Sequence, residues 1–195
     1  MFDDKNLIEG CRKNKHKFQM ALFDKYAPML RGVCMRYTNS EFDADDLLQE
    51  GFIKILSNIK KYVDCGSFVG WMKKIMINHA INYCRKKNKT KFFELNEEIN
   101  NVLLTDDDNI SNKTEDRVIE ADIKPEQILN LVNELPEGYK MVMNMYVIDG
   151  FTHKEIAEKL NISINTSKSQ LSRARKLLLA KTNELIIKNN KLQYE

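Results

Sequence analysis

The chain has 195 residues, 43% of them hydrophobic, and a formal net charge of +3, enough for one medium or two small cores. No apolar run approaches the roughly eighteen residues of a membrane span, and the opening MFDDKNLIEGCRKNKHK lacks the apolar centre of a signal peptide, so a cytoplasmic protein without membrane insertion is expected. Cys11, Cys34, Cys65 and Cys84 form no C-x-x-C pair and have no His at zinc-ligand spacing, which favours reduced thiols and argues against a metal site.

Only 7 Gly and 3 Pro punctuate the sequence, so long helices are expected over strands. Phe18, Leu22, Phe23, Tyr26, Leu30, Cys34 and Tyr37 recur at helical spacing and predict a helical hairpin over residues 17–38, its aromatics ordinary core. Ser40 followed by Asp43 reads as a capping box, and Asp43, Asp45 and Asp46 suit the dipole at the start of the next helix. Leu48, Phe52, Ile55 and Ile59 form that helix's buried stripe. Asp45, Asp46, Gln49, Ile53 and Lys54 are left nearer the outside, on a face that is solvated by default and capable of docking a partner.

Gly66 and Ser67 break the chain before a helix over residues 68–87. There Trp71, Ile75, Met76, His79 and Tyr83 can pack inward, with His79 read as a packed histidine and not as a ligand or catalyst. Lys74, Asn78, Asn82 and Arg85 fall at i, i+4, i+8 and i+11, a polar stripe with basic ends. Basic side chains hold phosphates while amides and aromatics receive unstacked bases, which is what single-stranded nucleic acid requires.

Charge is divided unevenly along the chain. Residues 53–91 carry Lys54, Lys60, Lys61, Lys73, Lys74, Arg85, Lys86, Lys87, Lys89 and Lys91 against Asp64 alone; residues 92–123 are dominated by Glu and Asp; the tail from His153 is basic again. Basic, acidic, basic suggests two nucleic-acid-facing domains joined by an extended acidic connector. The expected fold is therefore all-α, with small helical domains over residues 1–91 and 125–195 and a linker over 92–124.

The second domain begins near Pro125, with a break at Pro136 and Gly138. Its residues 152–176, THKEIAEKLNISINTSKSQLSRARK, read as two short helices around a tight turn. Ile156, Ala157 and Leu160 face inward on the first; Asn161 takes the left-handed conformation of the turn; Ser163 caps the second. With Leu171, Ala174 and Leu178 as the inner stripe, Asn165, Thr166, Ser169, Arg173 and Lys176 point outward, able to reach base edges and phosphates in a major groove. No phosphate-cradling glycine loop, metal-ligand cluster or nucleophile beside a base is present, so an enzyme is not expected, nor any cofactor.

The order of these motifs resembles sigma factors of the extracytoplasmic-function type, in the sigma-70 family. Region two matches through LFDKYAPMLRGVCMRYTNS, DADDLLQEGFIKI and GSFVGWMKKIMINHAINYCRKK, and region four through LPEGYKMVMNMYVIDGFTHKEIAEKLNIS and TSKSQLSRARKLL. The resemblance implies a bacterial transcription initiation factor that binds core RNA polymerase and directs it to promoters. It assigns Asp45, Asp46, Leu47, Gln49 and Glu50 to the clamp helices of the polymerase largest subunit. It assigns Trp71, Lys74, Asn78, Asn82, Tyr83, Arg85 and Lys86 to the melted minus-ten strand. Asn165, Thr166, Lys168, Ser169, Gln170, Arg173 and Lys176 fall to the minus-thirty-five element, with region four also packing on the polymerase flap. Members are often held by an anti-sigma factor. Asn161 stands where the family usually has Gly, Ser167 where an apolar residue is common and Gln170 where Arg is common, and the last two are expected to bear on promoter choice. The alternative is a helix-turn-helix regulator that does not act as a sigma subunit.

Overall fold

The structure, a computed structural model, describes residues 2–63, 66–87 and 123–192; all regular elements among them are helical. The chain divides into two compact units, the first ending at Asn88. The expected connector falls outside the described residues as far as residue 122.

In the first unit, α1 spans Asp4–Arg12 and α2 His16–Tyr37. Asp3 caps α1 by accepting from the Asn6 N–H at 2.8 Å, and Asn14, at φ 55°, turns the chain into α2. The hairpin expected over residues 17–38 is instead a single helix, paired with α1 before it. Pro28 sits inside that helix on its exposed side, as does Asp24 four residues before it, while Leu22, Tyr26, Leu30, Val33, Cys34 and Tyr37 keep an unbroken buried stripe. Burial pushes the Cys34 thiol up to about 12 and raises Cys11 as well, so both behave as small apolar groups. Cys65 lies outside the described residues.

Helix α3, Glu41–Asn58, is capped by Ser40, whose Oγ accepts from the Asp43 N–H at 3.1 Å. A short 3-10 turn, Ile59–Lys61, leads towards α4, Phe68–Lys87. The expected stripe Leu48, Phe52, Ile55 and Ile59 is buried, joined by Ala44 and Leu47. Arg12 of α1 donates to the carbonyls of Ile59 and Tyr62, so α1 holds the segment leading to α4.

Gly51 sets the approach of α3 to α4. A Cβ there would lie 2.4 Å from Met76 Sδ and 3.4 Å from His79 Cδ2, and Met76 is fully buried. Gly51→Ala is expected to destabilise the unit by about 1–3 kcal/mol through overpacking, outweighing the roughly 1 kcal/mol of helix propensity that Ala would add. Chemical denaturation of the variant checks the sign.

In the second unit, α5 is Pro125–Asn133, α6 Glu137–Met143, α7 His153–Leu160 and α8 Ile164–Leu192. Residues Asn144–Ile148 form a π-type turn, closed by the Asp149 N–H reaching the Asn144 carbonyl at 3.0 Å. Thr152 and Glu155 cap α7 reciprocally. Asn161 has φ 57° and ψ 48°, and Ser163 Oγ accepts from the Thr166 N–H at 2.9 Å, so the turn is built as its residue types predict. Leu135, Tyr139 and Ala174 form a buried cluster with Met143 and Leu177 packed on it. No helix among the described residues is long and apolar enough to cross a membrane.

Candidate polymerase and nucleic-acid interfaces

On α3, Asp46, Gln49 and Glu50 are exposed, flanked along the helix by Phe42 at 86% and Ile53 at 63% exposure. Positions 42, 46, 49, 50 and 53 share one side of a helix at about 100° per residue, so an apolar-acidic-apolar strip faces outward. Two of the expected contacts differ. Leu47 is 1% exposed and belongs to the core, because its position three residues after Ala44 puts it on the inner stripe. Asp45 is half-buried and bound by Arg31, Nε to Oδ1 at 2.6 Å, with Arg31 also reaching Glu41 at 3.0 Å.

Asp43 ties α3 to the far end of α4. It accepts from the Tyr83 hydroxyl at 2.8 Å and Lys87 Nζ at 3.0 Å. Lys87 first, then Tyr83 and Ser40, hold its carboxyl below the usual range. A lowered folded-state value means that this tie is fully present above the ordinary value of 3.8 and is lost as pH falls through the lowered one. Asp43→Asn should therefore flatten the acid limb of the stability curve below about pH 4, measured by thermal unfolding across pH. Tyr83, expected against DNA, is half-buried with its hydroxyl committed here.

Between α3 and α4 lies a cavity of about 370 Å³ lined by Lys54, Asn58, Lys61, Trp71, Ile75, Asn78, His79 and Asn82. It gathers three of the expected single-strand residues, Trp71, Asn78 and Asn82. Trp71 is seated by Tyr62 and Phe68, with ring centroids at 5.2 and 5.7 Å. Lys74, Arg85 and Lys86 are exposed on α4 without lining it. Sequence reasoning missed Lys54, Asn58, Lys61 and His79. The run of lysines at 54, 60 and 61 was a signal, but pairing them with α4 needs the fold. A nucleobase fits such a volume, with an indole wall, amides to bond its edge and ammonium groups for phosphates.

On α8, Asn165 and Ser169 are exposed, and Thr166, Arg173 and Lys176 half-buried; all five fall within about a third of the helix circumference. Gln170 does not join them. It is 4% exposed, and its Nε2 lies 3.2 Å from the position of a Cβ on Gly138. Ser167 is fully buried, its Oγ 2.9 Å from His153 Nδ1. Both departures from the family pattern thus serve packing between helices, not the outward face. Lys168 lies on another side of α8, lining a groove of about 600 Å³ with Met143, Tyr146, His153, Leu171, Arg175 and Leu179. Tyr146 stacks on His153 at 4.5 Å. Burial first, then Lys168 and Arg175, keep His153 below the ordinary imidazole range.

Residues 22–90 match the family described as Sigma-70 region 2, and residues 125–178 match Sigma-70, region 4. Two relatives span nearly the whole chain. The ECF RNA polymerase sigma-E factor of Haemophilus influenzae is 25% identical over 193 residues, covering 94% of this chain and 97% of that protein. The ECF RNA polymerase sigma factor SigW of Bacillus subtilis is 25% identical over 183 residues, covering 93% and 97%. Among solved structures, the sigma factor RpoE in complex with the anti-sigma factor NepR from Bartonella quintana is similar with a TM-score of 0.46 and 18% identity, over 83% of this chain and 96% of that one. The two matched regions, in order and together spanning more than half of the chain, place it in a family: the chain belongs to the sigma-70 family, in its extracytoplasmic-function branch, and is a sigma factor for transcription initiation.

Proposed function

We propose that this sigma factor works through three separate grips. Asp46, Gln49 and Glu50, bracketed by Phe42 and Ile53, meet core RNA polymerase at the clamp helices of its largest subunit, with Asp45 shaping the strip through Arg31. The cavity between α3 and α4 receives an unstacked base of the melted minus-ten strand, with Lys74, Arg85 and Lys86 along the phosphates. Asn165, Thr166, Ser169, Arg173 and Lys176 read duplex at the minus-thirty-five element, and the groove holding Lys168 takes the polymerase flap. The division of labour follows residues 1–91 and 125–195, with the acidic stretch 92–124 between them.

The observation that carries this reading is the pairing, on one helical unit, of an exposed apolar-acidic strip and a basic, amide-lined cavity. A regulator that binds only duplex needs neither. Energetically, a captured base returns about 1–3 kcal/mol through stacking, comparable with the ~1.4 kcal/mol per step that duplex DNA loses when opened. A few captured bases therefore hold a melted segment of similar length without catalysis.

The test is transcription in vitro with purified core polymerase on promoters located by mapping start sites after expression of the chain. Promoter-specific initiation that depends on the chain is expected. Absence of both core binding and promoter-specific initiation would overturn the reading, and duplex binding without core binding would favour an ordinary helix-turn-helix regulator.

A further inference from the structure

One side chain joins the acidic strip to the α4 cavity that it lines. His79 is 8% exposed, with Nδ1 2.7 Å from Lys54 Nζ and Nε2 3.1 Å from Glu50 Oε2. An ammonium has no lone pair, so Lys54 donates and Nδ1 accepts, which leaves the ring proton on Nε2, towards Glu50.

Glu50 and Lys54 stand at i and i+4 on α3, in the order that favours a direct helix-face ion pair. The imidazole enters from α4 and lies against both partners of that pair. Glu50 stays on the outer strip and Lys54 lines the cavity. Gly51 lets α4 come close enough for this, since a Cβ at that position would lie 2.4 Å from Met76 Sδ, with His79 Cδ2 in ordinary contact at 3.4 Å. Lysine has a flexible four-carbon stem whose rotamer freedom is costly to freeze on binding, and a fixed acceptor reduces that cost beforehand.

We infer that His79 is a positioning residue of the single-strand cavity, holding the Lys54 ammonium so that its remaining N–H groups donate to the acceptor edge of an inserted nucleobase. This rests on reading the cavity as the single-strand site. The charged groups acting on the ring are Lys54 and Glu50 of α3 and Lys86 of its own helix; burial first, then Lys54, hold it below the ordinary value of 6.5. The ring is thus neutral and accepting at neutral pH. It loses that acceptor only in acid, where a protonated ring repels Lys54.

The experiment measures binding of the full chain to two dye-labelled probes, a dT dodecamer and an abasic dodecamer of the same length, by fluorescence anisotropy. Lys54→Met should reduce the preference for bases over abasic backbone about tenfold, the worth of a hydrogen bond from a charged group. His79→Leu should reduce it to the same level, and the double variant no further, because the two residues act as one unit. His79→Gln, whose amide oxygen accepts from Lys54, should restore most of the preference. That preference should hold at neutral pH, fall only as pH drops below the ordinary imidazole value of 6.5 in the parent, and stay flat in His79→Gln. His79→Leu binding like the parent, additive losses in the double variant, or Gln no better than Leu would overturn the inference with the cavity reading intact. A parental preference in Lys54→Met would overturn it likewise, whereas a parent with no preference for bases over abasic backbone would instead remove the cavity reading itself.

Discussion

A chain carrying Asp46→Lys is expected to bind core RNA polymerase about 100-fold more weakly than the parent, a loss of ~2.7 kcal/mol, while unfolding at the same temperature. Asp46 is exposed at the middle of the α3 strip, so reversal leaves the core unchanged and acts on whatever faces the strip. Like charges brought together at an interface cost several kcal/mol. Leu47→Ala makes the useful contrast. It lies next to Asp46 in sequence but is buried, so truncation should cost about 2–5 kcal/mol of stability and weaken polymerase binding only through unfolding. Competition for core polymerase against a labelled parent chain, alongside thermal melts, separates the two. Parental affinity in Asp46→Lys would remove the strip from the interface.

The second large effect concerns duplex DNA. Replacing both Arg173 and Lys176 with Ala should weaken binding to an upstream promoter duplex between about 100- and 10,000-fold, since charge-assisted hydrogen bonds are worth ~1.5–3 kcal/mol each. It should also lower the slope of log affinity against log salt by about two, close to one for each phosphate that is no longer neutralised. Arg175→Ala, on the groove side of the same helix, should leave the slope unchanged. Gln170→Ala should act on the melting temperature and not on the salt slope, as expected of a side chain packed against Gly138. An unchanged slope in the Arg173 and Lys176 double variant would take these residues off the phosphates.

Much of the fold was legible because local chemistry sets it. Asn161 and Ser163 are residues whose side chains satisfy a turn and a helix start without help from elsewhere, and the helix-turn-helix follows from them. Residues at the edge of a stripe were harder. Gln170 and Leu47 sit about one helical step from outward positions, and only the neighbouring helix decides whether such a position is wet. Helix α1 escaped notice because it is only nine residues long, although its buried Leu7, Ile8 and Cys11 fall at helical spacing. The α4 cavity was half legible: its Trp and Asn residues share one helix, whereas Lys54 and His79 are 25 positions apart and meet only across the crossing that Gly51 allows.

Arg12 has a practical bearing on dissecting the protein. The region matched to the family begins at residue 22, yet the guanidinium that grips the Ile59 and Tyr62 carbonyls lies ten positions earlier. A fragment cut at the family boundary would carry every expected contact residue of the first unit and still release the segment that aims α4. The statistical edge of the domain and its mechanical edge are different places, and the mechanical one lies before α1.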